Sequence, residues 1–266
     1  MVSKLVGSAL AGVIVLSAAP LFAQSGSGCT GLPSHDALRG ALISAVGTPV
    51  NGGLGNQMWA TLVDRDGVVC AVAFSGPDRG AQWPGSRVIS AQKANTANAF
   101  SLDGLALSTA NLYAAVQPFD GSLYGLQHSN PVDAAAAYGT AADTPNYGQA
   151  DDPMVGKRVG GVNVFGGGLG LYVKLGSTDR VIGGLGVSGD TSCADHMIAW
   201  RVRNNLGLDH LKGVNGVSGD SDRPDNIVYD ISAGATVGAI GISPSGFGHP
   251  TCLNTASPAT LPKVAP

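Results

Sequence analysis

Apolar residues recur at helical spacing over Leu38, Leu42, Ile43 and Val46 behind a serine at position 34, which predicts a capped helix from His35 to about Val46. After a glycine-rich loop at 48–56 come two β-rich runs, 58–63 and 68–74, joined through Asp66-Gly67, a strong hairpin signal. Residues 86–100 carry Ser90, Ala91, Ala94, Ala97 and Ala99, a small-residue helix able to lie close on a sheet, with Arg87 and Lys93 off that face. A short helix is expected at 108–116, a brief helical run at 132–138, and strands near 162–165, 169–173 and 180–187. The last of these is laced with Gly183, Gly184 and Gly186. Such a strand leaves one face without side chains, so another backbone or a flat ligand can approach it. It runs through Ser188, Gly189 and Asp190 into a helix that ends at Gly207, with Ser192 as the expected cap and Asp195 in the first turn.

Residues 118–157 are rich in Gly, Ala, Asp, Asn and Pro, a long connection that suits either a functional segment or an oligomer arm. The tail repeats the VSGD tetrapeptide at 217–220, and 237–243 echoes the glycine-laced strand; 226–231 and 237–242 read as extra strands or ordered coil. Two echoes do not make a solenoid. At the other end, Lys4, an apolar run over 5–19 and small residues before a cut after Ala23 predict a signal peptide at 1–23, hence export to the periplasm or beyond the cell. No later stretch is long and apolar enough to span a bilayer.

With 15 basic and 18 acidic residues and no basic stripe, the chain does not read as a nucleic-acid binder. Only 12% of residues are charged while 40 are glycine, a composition that favours burial of surface in a homo-oligomer. Four cysteines in an exported chain point to disulfides, for which three connectivities exist. Cys29 with Cys70 and Cys193 with Cys252 is the preferred pairing; a metal-thiolate site ranks lower because no C-x-x-C spacing occurs.

The segment RVIGGLGVSGDTSCAD at 180–195 resembles the signature of the GlcG/HbpS-like family, the haem-degrading domain also found at the C-terminal end of PduO-type proteins. The hairpin TLVDRDGVVCAVA (61–73) and the helix AQKANTANAF around Lys93 are similar to the family pattern in the same order. The resemblance covers roughly 34–211. It implies an α+β fold, an antiparallel sheet covered by helices, and divides the chain into a domain at 24–211 and an extension at 212–266 packed on it. It also implies oligomers and non-covalent binding of haem, iron or another small ligand. A lysine is expected at the position of Lys93.

Gly184, Gly186 and Gly189 satisfy G-x-G-x-x-G, but two of them lie within the strand, and tight packing explains them better than a dinucleotide. No G-x-S-x-G, H-E-x-x-H, Walker or EF-hand pattern occurs, and Ser188 has no histidine placed by sequence to activate it. His196 lies three residues after Cys193 and His249 three before Cys252, so a bridge between those cysteines would bring the two histidines onto neighbouring segments, beside Asp195. His35, His128 and His210 are weaker candidates. Arg201 and Arg203 point to different sides of their helix, so only one can face a given ligand. The candidate ligand-binding set is Lys93, Ser188, Gly189, Asp195, His196, Arg201 and His249, with His196 and His249 as metal ligands. A haem- or small-ligand-binding protein is the first reading, and an enzyme using His/Asp acid-base chemistry on a small carbonyl or carboxylate compound is the alternative.

Overall fold

A computed structural model of the chain describes residues 28–232 and 241–266. The expected signal peptide and most of the expected strand at 237–242 lie outside the described residues. Helix α1 (His35–Val46) begins under Ser34, whose Oγ accepts from the Ala37 N–H. Strands β1 (Trp59–Asp64) and β2 (Val69–Phe74) form the expected hairpin, and α2 (Ser86–Phe100) follows. A single turn, α3 (Ala134–Tyr138), sits within the long connection. Then come β3 (Gly168–Leu175), β4 (Thr178–Ser188) and α4 (Ser192–Asn205). The four strands make one antiparallel sheet in the order β2-β1-β4-β3, so the fold is α+β as expected.

Alternation along the strands assigns the two faces. Ala60, Leu62, Leu185 and Val187 meet α1 and α4 in the main core, whereas Trp59, Val63, Val69 and Val72 pack with Val88, Ala91 and Ala94 of α2. On that second face β4 is bare. A Cβ at Gly186 would collide with the Ser90 carbonyl oxygen, and one at Gly184 with that of Ala94. The approaching group is therefore the backbone of α2, which its own small residues Ser90 and Ala94 permit. Thr61 Oγ1 and Ser90 Oγ share a buried 2.7 Å hydrogen bond across the same seam.

Arg87 and Lys93, expected off the sheet-facing stripe, are nonetheless buried beneath flanking loops. Arg87 forms a forked ion pair with Asp152, donates to the Ala137 carbonyl at 2.7 Å, and stacks 3.8 Å over the Tyr147 ring. The Asp152 carboxylate also accepts from the Gly148 and Met154 N–H groups. These bonds fasten the stretch 118–157 onto α2.

Three expectations change. Residues 162–165 form no strand: the Asn163 N–H is taken by Thr96 Oγ1, the Phe165 carbonyl by Thr109 Oγ1, and Val162 and Val164 pack in a satellite cluster with Leu112 and Val116. The segment 108–116 breaks into two 3₁₀ turns, Thr109–Leu112 and Ala114–Val116, the first started by a Ser108–Asn111 capping box. The cap of α4 is Thr191, whose Oγ1 accepts from Ala194, and Ser192 becomes the first helical residue.

Beyond 211 the described chain has no strand and crosses the α4 side of the molecule. Val214, Leu261 and Val264 join the main core, and Asp225 forms a bidentate, fully buried ion pair with Arg203. Disulfides link Cys29 to Cys70 and Cys193 to Cys252, with Cα separations of 5.4 and 5.9 Å. Among the described residues no helix is long and apolar enough to cross a membrane.

Replacing Gly186 by Ala forces the α2 and β4 backbones apart. Urea unfolding should show a loss of about 3 kcal/mol, the cost of overpacking a rigid seam, against almost none for Gly40→Ala, where the added carbon meets nothing.

Candidate functional site

The corner between β4 and α4 gathers many of the residues singled out by sequence. Lys93 reaches it from α2, completely buried, and donates to Asp195 Oδ2 at 2.6 Å and to the Val187 carbonyl at 3.1 Å, with its ammonium 4.8 Å above the Phe165 ring. Desolvation pushes Asp195 up to about 6 against the pull of Lys93, and lowers Lys93 itself. The other oxygen, Asp195 Oδ1, accepts from the Asp190 N–H at 2.9 Å. Ser188 is buried, and a Cβ at Gly189 would strike the Gln57 carbonyl and Met58. The inner side of the corner is therefore filled by protein.

His196 and His249 are both buried, and a charge on His249 would disfavour one on His196. His249 Nδ1 faces the Pro250 carbonyl at 2.7 Å and its Nε2 faces Ser192 Oγ at 3.2 Å, with the Tyr113 ring 5.1 Å away. His196 Nε2 lies 3.2 Å from both Asn226 Oδ1 and the Ile227 N–H, while its Nδ1 has no partner. Desolvation is the main cause that depresses His196 to about 3 and His249 to about 4, so both are neutral near pH 7. The weaker candidates are elsewhere: His35 bonds the Gly148 carbonyl, His128 stands edge-on to Tyr124, and His210 meets the Pro266 carbonyl.

On the outer side of the corner lies a cavity of about 220 Å³, lined among others by Val46, Pro49, Asn51, Asn56, Asp190 and Ile198. Its loop is held by the Asp190 carboxylate, which accepts from the N–H groups of Leu54 (2.8 Å) and Asn56 (2.9 Å), and by Asn56 Nδ2 donating to the Gly189 carbonyl. Arg201 stands behind Asn51 and donates Nε–H to its Oδ1 at 3.1 Å; among the described residues Nη2 is buried without a partner and no carboxylate neutralises the guanidinium. The same loop leaves Val50 and Leu54 about half exposed. Arg203, on the opposite flank, is consumed by Asp225.

The structure thus joins Lys93 with Asp195, gives His196 and His249 separate hydrogen-bond partners, and sets Arg201 apart from these. Sequence reading missed Asn51, Asn56, Asp190, Asp225 and Asn226. Asp190 carried a local signal, an Asp directly after the turn glycine; the others act over 30 or more positions or sit in unpatterned loops, as with Asn226 to His196 at a separation of 30.

The family described as "Haem degrading protein HbpS-like" matches the chain over residues 41–203. Solved structures with a similar chain include the Klebsiella pneumoniae protein ORFY, at 24% identity over 65% of this chain and 90% of that one with a TM-score of 0.41. A PduOC:heme complex matches at 23% identity over 64% and 89% of the two chains with a TM-score of 0.42, and HbpS at 16% over 65% and 88% with a TM-score of 0.32. No curated protein sequence matches.

Replacing Lys93 by Met strands the buried Asp195 carboxylate and should cost about 3–5 kcal/mol at pH 7 by chemical denaturation; adding Asp195→Leu should recover much of it. Because His196 and His249 titrate lower when folded than when unfolded, the unfolded chain binds more protons once the pH falls below about 6.5. Their contribution is complete above that value and is lost progressively as pH falls toward about 4 for His249 and about 3 for His196. A stability profile should show a falling limb below pH 6 that is shallower in His249→Gln.

Proposed function

Since the chain belongs to the HbpS-like family of haem-degrading proteins, we propose that it is an exported protein that binds haem, or a smaller flat ligand bearing a carboxylate, without a covalent bond. The observation that carries the reading is the outer cavity of the signature corner together with the unneutralised Arg201 behind it. A guanidinium lacking a carboxylate favours a propionate or similar anion. The exposed Val50 and Leu54 on the same loop offer an apolar rim to the rest of a flat molecule.

The cavity is smaller than the ~300–1,000 Å³ typical of enclosed ligand pockets, so it suits the anionic edge of a haem rather than the whole macrocycle. The buried histidines do not fit as axial ligands. His196 and His249 are both buried, and neither lines the cavity. Binding through the periphery therefore fits this chain better than iron ligation by His196 and His249. Export is supported by the N-terminal pattern and is compatible with two disulfides. The glycine-rich, charge-poor composition supports a homo-oligomer.

Hemin titrated into the purified protein should shift the Soret band with saturation at one equivalent. Arg201→Glu should weaken that binding at least tenfold, about 1.4 kcal/mol, while His249→Gln leaves it unchanged. Absence of a Soret change at stoichiometric concentrations overturns the haem reading; a thermal shift with small carboxylates, lost in Arg201→Glu, would then retain the cavity for a smaller ligand.

A further inference from the structure

The bridge between α4 and the tail carries a feature that the outer cavity does not involve. The sulfurs of Cys193 and Cys252 and a ring nitrogen of His249 all lie within 4.8 Å of one another. Two thiolates and an imidazole are a borderline-soft donor set suited to Zn²⁺. The surroundings resemble those of a ligand set as well. His249 Nδ1 sits 2.7 Å from the Pro250 carbonyl, an acceptor only, so it carries the proton and Nε2 presents its lone pair toward Ser192 Oγ and the sulfurs. The Cys193 N–H, at the start of the 14-residue helix α4, already donates to Cys252 Sγ at 3.2 Å and would stabilise a thiolate there.

We propose that, when the Cys193–Cys252 disulfide is reduced, this chain holds one Zn²⁺ through Cys193 Sγ, Cys252 Sγ and His249 Nε2, and that reoxidation of the two thiolates by a disulfide oxidant, itself reduced to two thiolates, expels the ion. The chemistry balances with a dithiol reductant, which is itself oxidised to a disulfide. Two electrons and two protons from the reductant convert the S–S bond into two thiols, and the metal then displaces both protons as the two S–Zn bonds form. Regular Zn–S bonds of about 2.3 Å in a tetrahedron place the sulfurs about 3.8 Å apart, so one cysteine must turn outward. Cys252 is the one free to do so, being half-buried in a loop whereas Cys193 is enclosed in the helix.

Contacts that do not depend on the bridge keep the partners near each other after reduction. The His249 N–H donates to the Val228 carbonyl, the Cys252 N–H to Thr255 Oγ1, and the Gly53 N–H to the Asn254 carbonyl. Ser192 Oγ, 3.2 Å from His249 Nε2 and 3.5 Å from Cys252 Sγ, marks the side from which a fourth ligand, hydroxyl or water, would complete the shell. The second bridge has only an aspartate beside it, Asp64, whose Oδ1 is occupied by the Asp66 and Val68 N–H groups. It lacks an imidazole and serves as the internal comparison.

The test uses the full chain, reduced with a phosphine and titrated anaerobically with Co²⁺ and then Zn²⁺, with circular dichroism recorded throughout. One Co²⁺ per chain with a thiolate-to-metal absorption band, displaced by Zn²⁺, is expected in the reduced protein and neither signal in the oxidised one. Cys29→Ser/Cys70→Ser should keep the band, and His249→Ala should weaken metal binding at least tenfold. The proposal is overturned by no stoichiometric metal in the reduced chain, by binding that His249→Ala leaves intact, by a band that follows Cys29 and Cys70, or by a reduced chain that unfolds and stays unfolded with the metal present.

Discussion

Helix α2 lies with its backbone directly against that of strand β4, and most of the site follows from it. Glycines at 184 and 186 let the helix backbone settle against the strand. At that distance the next turn of the helix drives Lys93 beneath the sheet's end with no route to water. A buried ammonium requires a carboxylate, and the place within reach is the first turn of α4, where Asp195 stands. Asp195 in turn takes the Asp190 N–H, and Asp190 takes the loop that walls the outer cavity. The pair adds little net stability after desolvation is counted; its value is that it admits one arrangement of sheet, helix and loop.

How much of this could be read from the residues depends on the range of each interaction. Helix α1, the β1–β2 hairpin, α2 and the β4–α4 corner obey local rules of periodicity, turn chemistry and capping, and their bounds agree with the pattern to within a residue or two at most ends. The glycine pattern of β4 announced a close neighbour but not its identity, since a backbone and a planar ligand need the same empty face. The valines at 162 and 164 look like strand residues until Thr96 and Thr109 take the backbone groups that a ladder would need. Arg87, Lys93 and Arg203 look like surface residues until Asp152, Asp195 and Asp225, supplied from 65, 102 and 22 positions away, bury them. Periodicity cannot report such partners. The preferred cysteine pairing, one of three open to the sequence, is the one that forms, and a bridge once assigned carries distance information that apolar patterning lacks.

Arg203 illustrates what the tail contributes beyond length. The helix that carries it is complete by Asn205, yet the guanidinium is enclosed, bonded to the Gly170 carbonyl and Asp225 and stacked over the Trp200 ring, and Leu261 and Val264 close the same core. Without Asp225 and the segment around Leu261 and Val264, the same helix would face an open hydrophobic cleft and carry an uncompensated cation. The stretch matched by the family therefore does not close its own core in this chain, because the counter-charge for Arg203 and part of the cover over α4 come from residues beyond it.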